Sequence, residues 1–221
     1  MKTIVFGTAH LDHPWIPGKC SPDEDMNSFK EAIFSRLLIN DLLNIMQSYG
    51  FNTLVDYLGI TPDGINIPAY PNNWKEQQKA ELNFRVKKVN EICKIYGKDN
   101  VIYVSCHVNA SGDGKKFMPA NGWEIFTSPG KTRSDILATC MWNAANIYLK
   151  DRATLRVDWS DGDPDKEANY MVLTKTKCPA VLVENMFMDN KKDLEFLCSE
   201  EGAHCLERII VEGILNYWLK V

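Results

Sequence analysis

Four histidines occur in the chain, and His107 sits where an apolar, β-branched run gives way to polar residues in "VIYVSCHVNAS", residues 101–111. His10 has the same placement after "TIVFGTA", and Glu184 follows "PAVLV". A carboxylate at the end of such a run is costly to bury unless it is paired or linked to a metal. Glu31 lies in the first turns of a helical segment, where the helix macrodipole by itself favours a carboxylate. Two imidazoles and one carboxylate are the ligand set of many catalytic zinc sites, with a fourth position left open for water. Such a water has a pKa of about 7 and becomes a nucleophile near neutral pH. A further carboxylate that does not bind the metal can take the water's proton and pass it to a leaving nitrogen. His13 competes with His10 for the same role. His10 is preferred because it follows the strand directly, whereas His13 lies in a loop before Pro14. His204, near the start of the last helical segment, reads as a surface or capping residue.

For these side chains to meet, the chain must bring several strand ends and one helix start to a common rim. "KTIVFG" reads as a buried first strand. "HLDHPWIPGKCSPDED" is loop, punctuated by Pro14, Pro17, Gly18 and Pro22. From about Asn27 to Ser48, Phe29, Ile33, Leu37 and Ile45 recur at helical spacing, and Gly50 closes the helix. "FNTLVDYL" is a second strand, followed by a long connection at 59–73 that suggests a functional loop or lid. A second helix is expected from Trp74 to Tyr96, ended by Gly97, and "NVIYVSCH" is the next strand. "GWEIFTS" reads as another strand, and "TRSDILATCMWNAANIYLK" as a helix with Ser134 at or near its cap. The acidic stretch 158–165 lacks EF-hand spacing and reads as a solvated turn. "NYMVLT" and "PAVLVENMFM" follow, and a last helix runs from about Glu200 to Leu219. Strands alternating with helices indicate an α/β fold, a mostly parallel twisted sheet with helices on both faces. Ligands of such sheets gather outside the carboxyl ends of the strands.

Composition narrows the class. The 221 residues suit one domain with a core that needs no disulfide staples. Lysine and arginine number 25 against 29 acidic residues, a net charge of −4, which argues against nucleic acid as a partner. Seven cysteines without a C-x-x-C spacing argue against a disulfide framework and a zinc knuckle, and most of them read as small core residues made in a reducing compartment. No run is long enough for a signal peptide or a membrane span.

With these residues in place, the chain resembles the zinc-dependent N-acetylmuramoyl-L-alanine amidases of the type 3 catalytic fold, nearly end to end. "GTAH" stands for the family's Gly-His pair after its first strand. "FKEAIFSRLLINDLL" matches the helix that opens with a glutamate. "VSCHVNAS" matches a Ser-Ile-His-x-Asn-Ala segment, and "LVENMFMDN" a Val-Glu-x-x-Phe-x-x-Asn segment. "PGKCSP", "GWEIFTSPGKTRSD" and "CPAVLVENMFMDNKKDLEFLCSEEG" resemble further family stretches. Two departures stand out: Leu11 replaces the glycine common after the first histidine, and Cys106 replaces the isoleucine before the second. Strand alternation turns Cys106 away from the face His107 occupies.

The resemblance implies one Zn²⁺ per chain held by His10, Glu31 and His107, with Glu184 as the catalytic acid and base. It implies hydrolysis of the amide between N-acetylmuramic acid and L-alanine in peptidoglycan, within a single catalytic domain over residues 1–221 and with no separate wall-binding domain. Asn109 is a candidate donor or supporting residue, or simply the polar end of its strand. Arg156 is a candidate contact to a peptide carboxylate. Arg85 reads more simply as a solvated helix charge. Recognition of the substrate then falls to the loops 11–26 and 59–73. The expected setting is synthesis in the cytoplasm and action on the cell wall, either as a phage-type endolysin or as an autolysin exported by another route. Two other readings remain open: a zinc peptidase or deacetylase acting on another amide, and a non-catalytic wall-binding module on the same scaffold.

Overall fold

The computed structural model describes residues 1–10, 19–22, 29–57 and 73–221. His13, most of the 11–26 loop and nearly all of the 59–73 connection lie outside the described residues. Six strands, β1 (Thr3–Thr8), β2 (Asn52–Val55), β3 (Val101–Asn109), β4 (Glu124–Thr127), β5 (Lys166–Glu167) and β6 (Ala180–Phe187), form one sheet in the order β2-β1-β3-β6-β4-β5. Neighbours pair in parallel except β4 and β6, which run antiparallel. The helices are α1 (Glu31–Ser48), α2 (Trp74–Tyr96), α3 (Arg133–Tyr148), α4 (Met171–Thr174), α5 (Lys191–Leu197) and α6 (Glu200–Lys220).

Alternation along the central strands decides which helix covers which face. Ile4, Phe6, Ile102, Val104, Cys106, Val181 and Val183 point to one side, where they meet Leu42 of α1, Leu137 and Met141 of α3, and Leu206, Ile210 and Ile214 of α6. Val5, Val101, Tyr103, Ala180 and Leu182 point to the other, against Val89, Ile92 and Cys93 of α2 and Val172 and Leu173 of α4. Both faces are covered, which is why these strands read as unbroken apolar runs. Truncating a fully buried leucine such as Leu206 to alanine would cost about 2–5 kcal/mol. Cys106 faces the α1–α3–α6 side, as its position in the strand requires. No helix among the described residues is long and apolar enough to cross a membrane.

Three local features differ from the sequence expectation. Helix α1 starts at Glu31, with Lys30 extended at φ −114° and ψ 119°, so Phe29 precedes the helix instead of lying within it. The cap of α3 is Thr132 and not Ser134: Thr132 Oγ1 accepts the Ser134 N–H at 3.0 Å, and the Asp135 carboxylate accepts the Thr132 N–H at 2.6 Å. Ser134 instead accepts the Ala180 N–H at 3.0 Å, joining the start of α3 to the start of β6. The acidic stretch is not a solvated turn throughout. It leads into β5, and Asp165 is 2 % exposed, accepting a hydrogen bond from Thr127 Oγ1 at 2.6 Å.

One irregularity shapes the rim. His107 pairs with Glu184 and Asn109 with Phe187, so β6 carries one residue more than β3 across this step. The extra residue is accommodated where Met186 adopts a left-handed φ of 68°, a conformation costly for a side chain of this size.

Burial, followed by the neighbouring Asp163 carboxyl, pushes the Asp165 pKa up to about 8. The unfolded value is about 3.9. Between these limits the folded state holds a proton that the unfolded state has released, so stability falls as pH rises through this window. Asp165→Asn should flatten that decline. Thermal midpoints of both proteins between pH 4 and pH 9 check this, and parallel curves would refute it.

Candidate metal centre

His10 leaves the end of β1, and α1 grips the backbone there. Ser35 Oγ accepts the Ala9 N–H at 2.8 Å and donates to the Cys106 carbonyl at 2.7 Å. Arg36 Nη1 donates to the carbonyls of Ala9, His10 and Ala32 at 3.2, 3.1 and 2.6 Å. Glu31 is the first residue of the same helix, so one element sets both the carboxylate and the carrier of the first imidazole. A short antiparallel bridge between Cys20 and Lys30, with the Glu31 N–H donating to the Lys19 carbonyl at 3.2 Å, brings the Lys19 side chain alongside.

The three expected ligands converge. His107 Nδ1 lies 2.9 Å and His10 Nε2 3.9 Å from Glu31 Oε1, and one donor atom from each residue lies within 4.8 Å of the other two. Ligands about 2.0–2.2 Å from a tetrahedral zinc stand about 3.4 Å apart, so the cluster needs only small adjustments to hold one. Glu31 is 1 % exposed, and among the described residues its Oε2 has no hydrogen-bond donor, only the Lys19 ammonium 3.8 Å away. A buried, under-satisfied carboxylate facing two imidazoles is what a cation site requires. Burial lowers the His10 pKa well below its ordinary value, which keeps the imidazole neutral as a ligand must be. Burial alone would raise Glu31, but His10, His107 and Lys19 outweigh it and hold this carboxyl below the usual range.

Glu184 stands beside the cluster, paired in register with His107, and one of its carboxylate oxygens is buried without a donor. Burial first, then the charges of Glu31 and Glu124, raise its pKa well above the ordinary value, with Lys19 opposing. His10, Lys19, His107 and Glu184 line two adjoining cavities. One, of about 240 Å³, runs between α2 and α4 and is walled by Gln78, Leu82, Tyr170, Met171 and Val172. The other, of about 270 Å³, is bounded by Glu31, Asn109, Ala110, Gly112 and Met188.

Asn109 and Arg156 meet through a residue the sequence reading passed over. Glu124, opposite Glu184 in the sheet, accepts from Asn109 Nδ2 at 2.5 Å and from Arg156 Nε at 2.9 Å, and is also bonded to Lys166. Asn109 lines the second cavity, whereas Arg156 lines neither and lies over the Phe187 ring. Arg85 is not a solvated charge: it is 4 % exposed and ion-paired with Asp56 at 2.8 Å. Gln77, Glu81 and Arg85 continue, four residues apart, the buried stripe of Val89 and Cys93 on α2, and that periodicity was the available signal. Arg36 likewise falls between Ala32 and Ile39 on the buried stripe of α1, whereas Lys19 carries no such signal, because it is placed by its contact with Glu31 at the start of that helix.

A mostly parallel sheet whose carboxyl rim gathers two imidazoles, a buried carboxylate and a neighbouring glutamate is an α/β scaffold whose ligand rim has the donors to hold a metal ion. Residues 17–216 match the family described as N-acetylmuramoyl-L-alanine amidase, and the chain belongs to that family, in which zinc dependence is general. An endolysin of Bacillus phage SPP1 is 29 % identical over 115 residues, an alignment spanning 51 % of this chain and 38 % of that relative. Among solved structures, the CwlD amidase from Clostridioides difficile, determined in complex with the GerS lipoprotein, superposes with a TM-score of 0.72 at 21 % identity over 100 % of both chains. The catalytic domain of CwlV, an N-acetylmuramoyl-L-alanine amidase from Bacillus (Paenibacillus) polymyxa var. colistinus, gives 0.66 at 20 % identity over 99 % of this chain and 98 % of that one. At these identities the structural likeness establishes the fold.

The grip of α1 on the strand exit is open to test. Arg36→Met should leave three carbonyls short of a donor and destabilise the protein by about 2–3 kcal/mol. The denaturant midpoint should fall at an unchanged slope, and an unchanged midpoint would show that the three bonds contribute nothing net.

Proposed function

We propose that the chain hydrolyses the amide linking the lactyl group of N-acetylmuramic acid to the L-alanine of the stem peptide in peptidoglycan. His10, Glu31 and His107 would hold one zinc ion, and Glu184 would serve as base and then acid. The observation that carries this reading is the convergence of three donor atoms within 4.8 Å beside the Glu184 carboxyl, one oxygen of which is buried with no donor among the described residues, in a chain of the amidase family. Zinc held there supplies a Lewis acid for the carbonyl, a water acidified to a pKa of about 7, and positive charge that draws the Glu184 pKa back down.

The remaining work falls to side chains. Glu184 takes the proton of the attacking water, and its raised affinity for protons suits it to that task. It then returns a proton to the departing L-alanine nitrogen, so that the amine leaves neutral. Lys19 lines both cavities and offers positive charge to the carbonyl oxygen as negative charge develops on it. The α2–α4 cavity, with Leu82, Tyr170 and Met171 on its walls, is the described surface along which a stem peptide would lie. Asn109 borders the opposite cavity, held in place by Glu124. Arg156 acts in this reading by fixing Glu124 instead of binding a peptide carboxylate itself. Residues 1–221 work as one catalytic unit.

Purified peptidoglycan digested with the protein should release stem peptides with a free L-alanine amine and glycan with an intact lactyl carboxylate. Mass spectrometry of the fragments reads this directly. Chelation should stop the reaction and added zinc restore it. Cleavage at a different amide would point to a peptidase or deacetylase. Glu184→Gln should retain zinc on dialysis yet lose about 10²–10⁴-fold in turnover. A variant with near-wild-type rates would remove Glu184 from the mechanism.

A further inference from the structure

The two cavities at the rim share His10, Lys19, His107 and Glu184, so an amide held at the cluster sends one arm into each. Their walls are chemically unlike. The α2–α4 cavity presents Leu82, Tyr170, Met171, Val172 and Leu182 beside its polar groups. The second cavity, of about 270 Å³, is closed by Val108, Asn109, Ala110, Gly112 and Met188, and at Ala110 and Gly112 little side chain covers the backbone. That backbone is fixed, and its donors are spent. The Val108 N–H donates to Glu31 Oε1 at 3.3 Å and the Ala110 N–H to Asn109 Oδ1 at 2.8 Å. The Ser111 and Gly112 N–H groups both donate to Asp189 Oδ2, at 2.8 and 2.7 Å. Asp189 is fully buried, and the Met188 N–H before it donates to the Asn109 carbonyl at 2.8 Å. The carbonyl oxygens of Ala110, Ser111 and Gly112, by contrast, accept no hydrogen bond among the described residues. Ser111 is exposed and its two neighbours are half-buried.

A wall with its donors consumed and its acceptors open is complementary to a ligand rich in O–H and N–H groups. A saccharide with an N-acetyl group fits that description, whereas a peptide side chain gains more from the apolar α2–α4 walls. We propose that the cavity at Asn109–Gly112 is the saccharide subsite. It receives the N-acetylmuramyl ring, whose hydroxyl and acetamido hydrogens meet the carbonyls of 110–112, while the stem peptide occupies the α2–α4 cavity. The scissile amide then crosses the cluster in one direction only, its acyl arm toward Asn109 and its amine arm toward Tyr170. Asp189 is a positioning residue in this arrangement. It lines neither cavity, and by holding two N–H groups of the turn it keeps the acceptors of the same turn preorganised for the ligand. The assignment rests on the amidase reading above, because only a substrate with one sugar arm and one peptide arm calls for two unlike cavities.

The two halves of the cleaved substrate serve as probes on the full chain. Backbone amide resonances of the ¹⁵N-labelled protein are followed while N-acetylmuramic acid or L-alanyl-D-isoglutamine is added. The sugar should move the signals of residues 109–112 and Met188, and the dipeptide those of Leu82, Tyr170, Met171 and Val172. The reverse pattern, or a sugar that moves neither set, would overturn the subsite. Asp189→Ala should weaken sugar binding about 10-fold and leave dipeptide binding within about twofold of wild type. Asp189→Asn keeps one oxygen for the two N–H groups and should restore sugar binding to within about threefold. Equal losses for both probes, or no loss in Asp189→Ala, would remove the positioning role. If Asp189→Ala does not fold, the wild-type map and Asp189→Asn still decide the matter. A failed amidase reading looks different: peptidoglycan would then be cut at another amide, whereas a misplaced subsite leaves the expected fragments and changes only the map.

Discussion

The structure turns on a carboxylate almost wholly withdrawn from solvent. Glu31 is buried at the carboxyl rim of the sheet with one oxygen that no donor among the described residues satisfies. Leaving a charge in that position is expensive unless opposite charge or a cation compensates for it. The surroundings are arranged accordingly. Two imidazoles face the carboxylate, an ammonium approaches from the Lys19 side, and the helix that begins at Glu31 presents its positive end. Glu184, close by, feels the opposite influence: the charge on Glu31 raises its pKa. One buried group thus separates the two glutamates into a ligand-like carboxylate and a proton carrier.

The sheet keeps these groups in place by treating its two faces differently. The side covered by α1, α3 and α6 is a dry core, tight enough that a Cβ on Gly213 of α6 would sit 2.3 Å from Met141 of α3. The side under α2 and α4 is apolar toward the amino ends of the strands and becomes polar toward the carboxyl ends. There Tyr103, Ser105 and His107 follow one another on a single strand. Packing on the first face holds the strands rigid, while hydrogen bonding on the second orients the site. The bulge at Asn185–Met186 lies where the two requirements meet, just after Glu184.

Much of this was legible in the residues. Apolar runs ending in His10, His107 and Glu184 marked strand ends facing one rim, and the helical spacing after Phe29 put Glu31 within reach. Caps were less legible, because Thr132 and Ser134 are equivalent in type and only the hydrogen-bond geometry separates them. Arg85 was misread because a charged residue on a helix is usually solvated, although its four-residue spacing from Glu81 and Val89 put it on the buried stripe. Asp165 was misread for a similar reason: an acidic, glycine-rich stretch predicts exposure on average, and nothing local reveals that Thr127 will cover one of its members.

What the sequence determined by itself is periodicity and residue type: which segments are strands or helices, which faces are apolar, and which side chains can bind metal or carry protons. These follow from local backbone geometry and the exclusion of water from apolar stripes. Which groups become partners was decided only by the tertiary structure. Lys19 beside Glu31, Arg36 on the strand exit, Glu124 opposite Glu184 and Asp56 under Tyr103 are contacts between segments far apart in the chain. Their strength depends on distances of a few ångströms in a desolvated interior, and strand order and register set those distances.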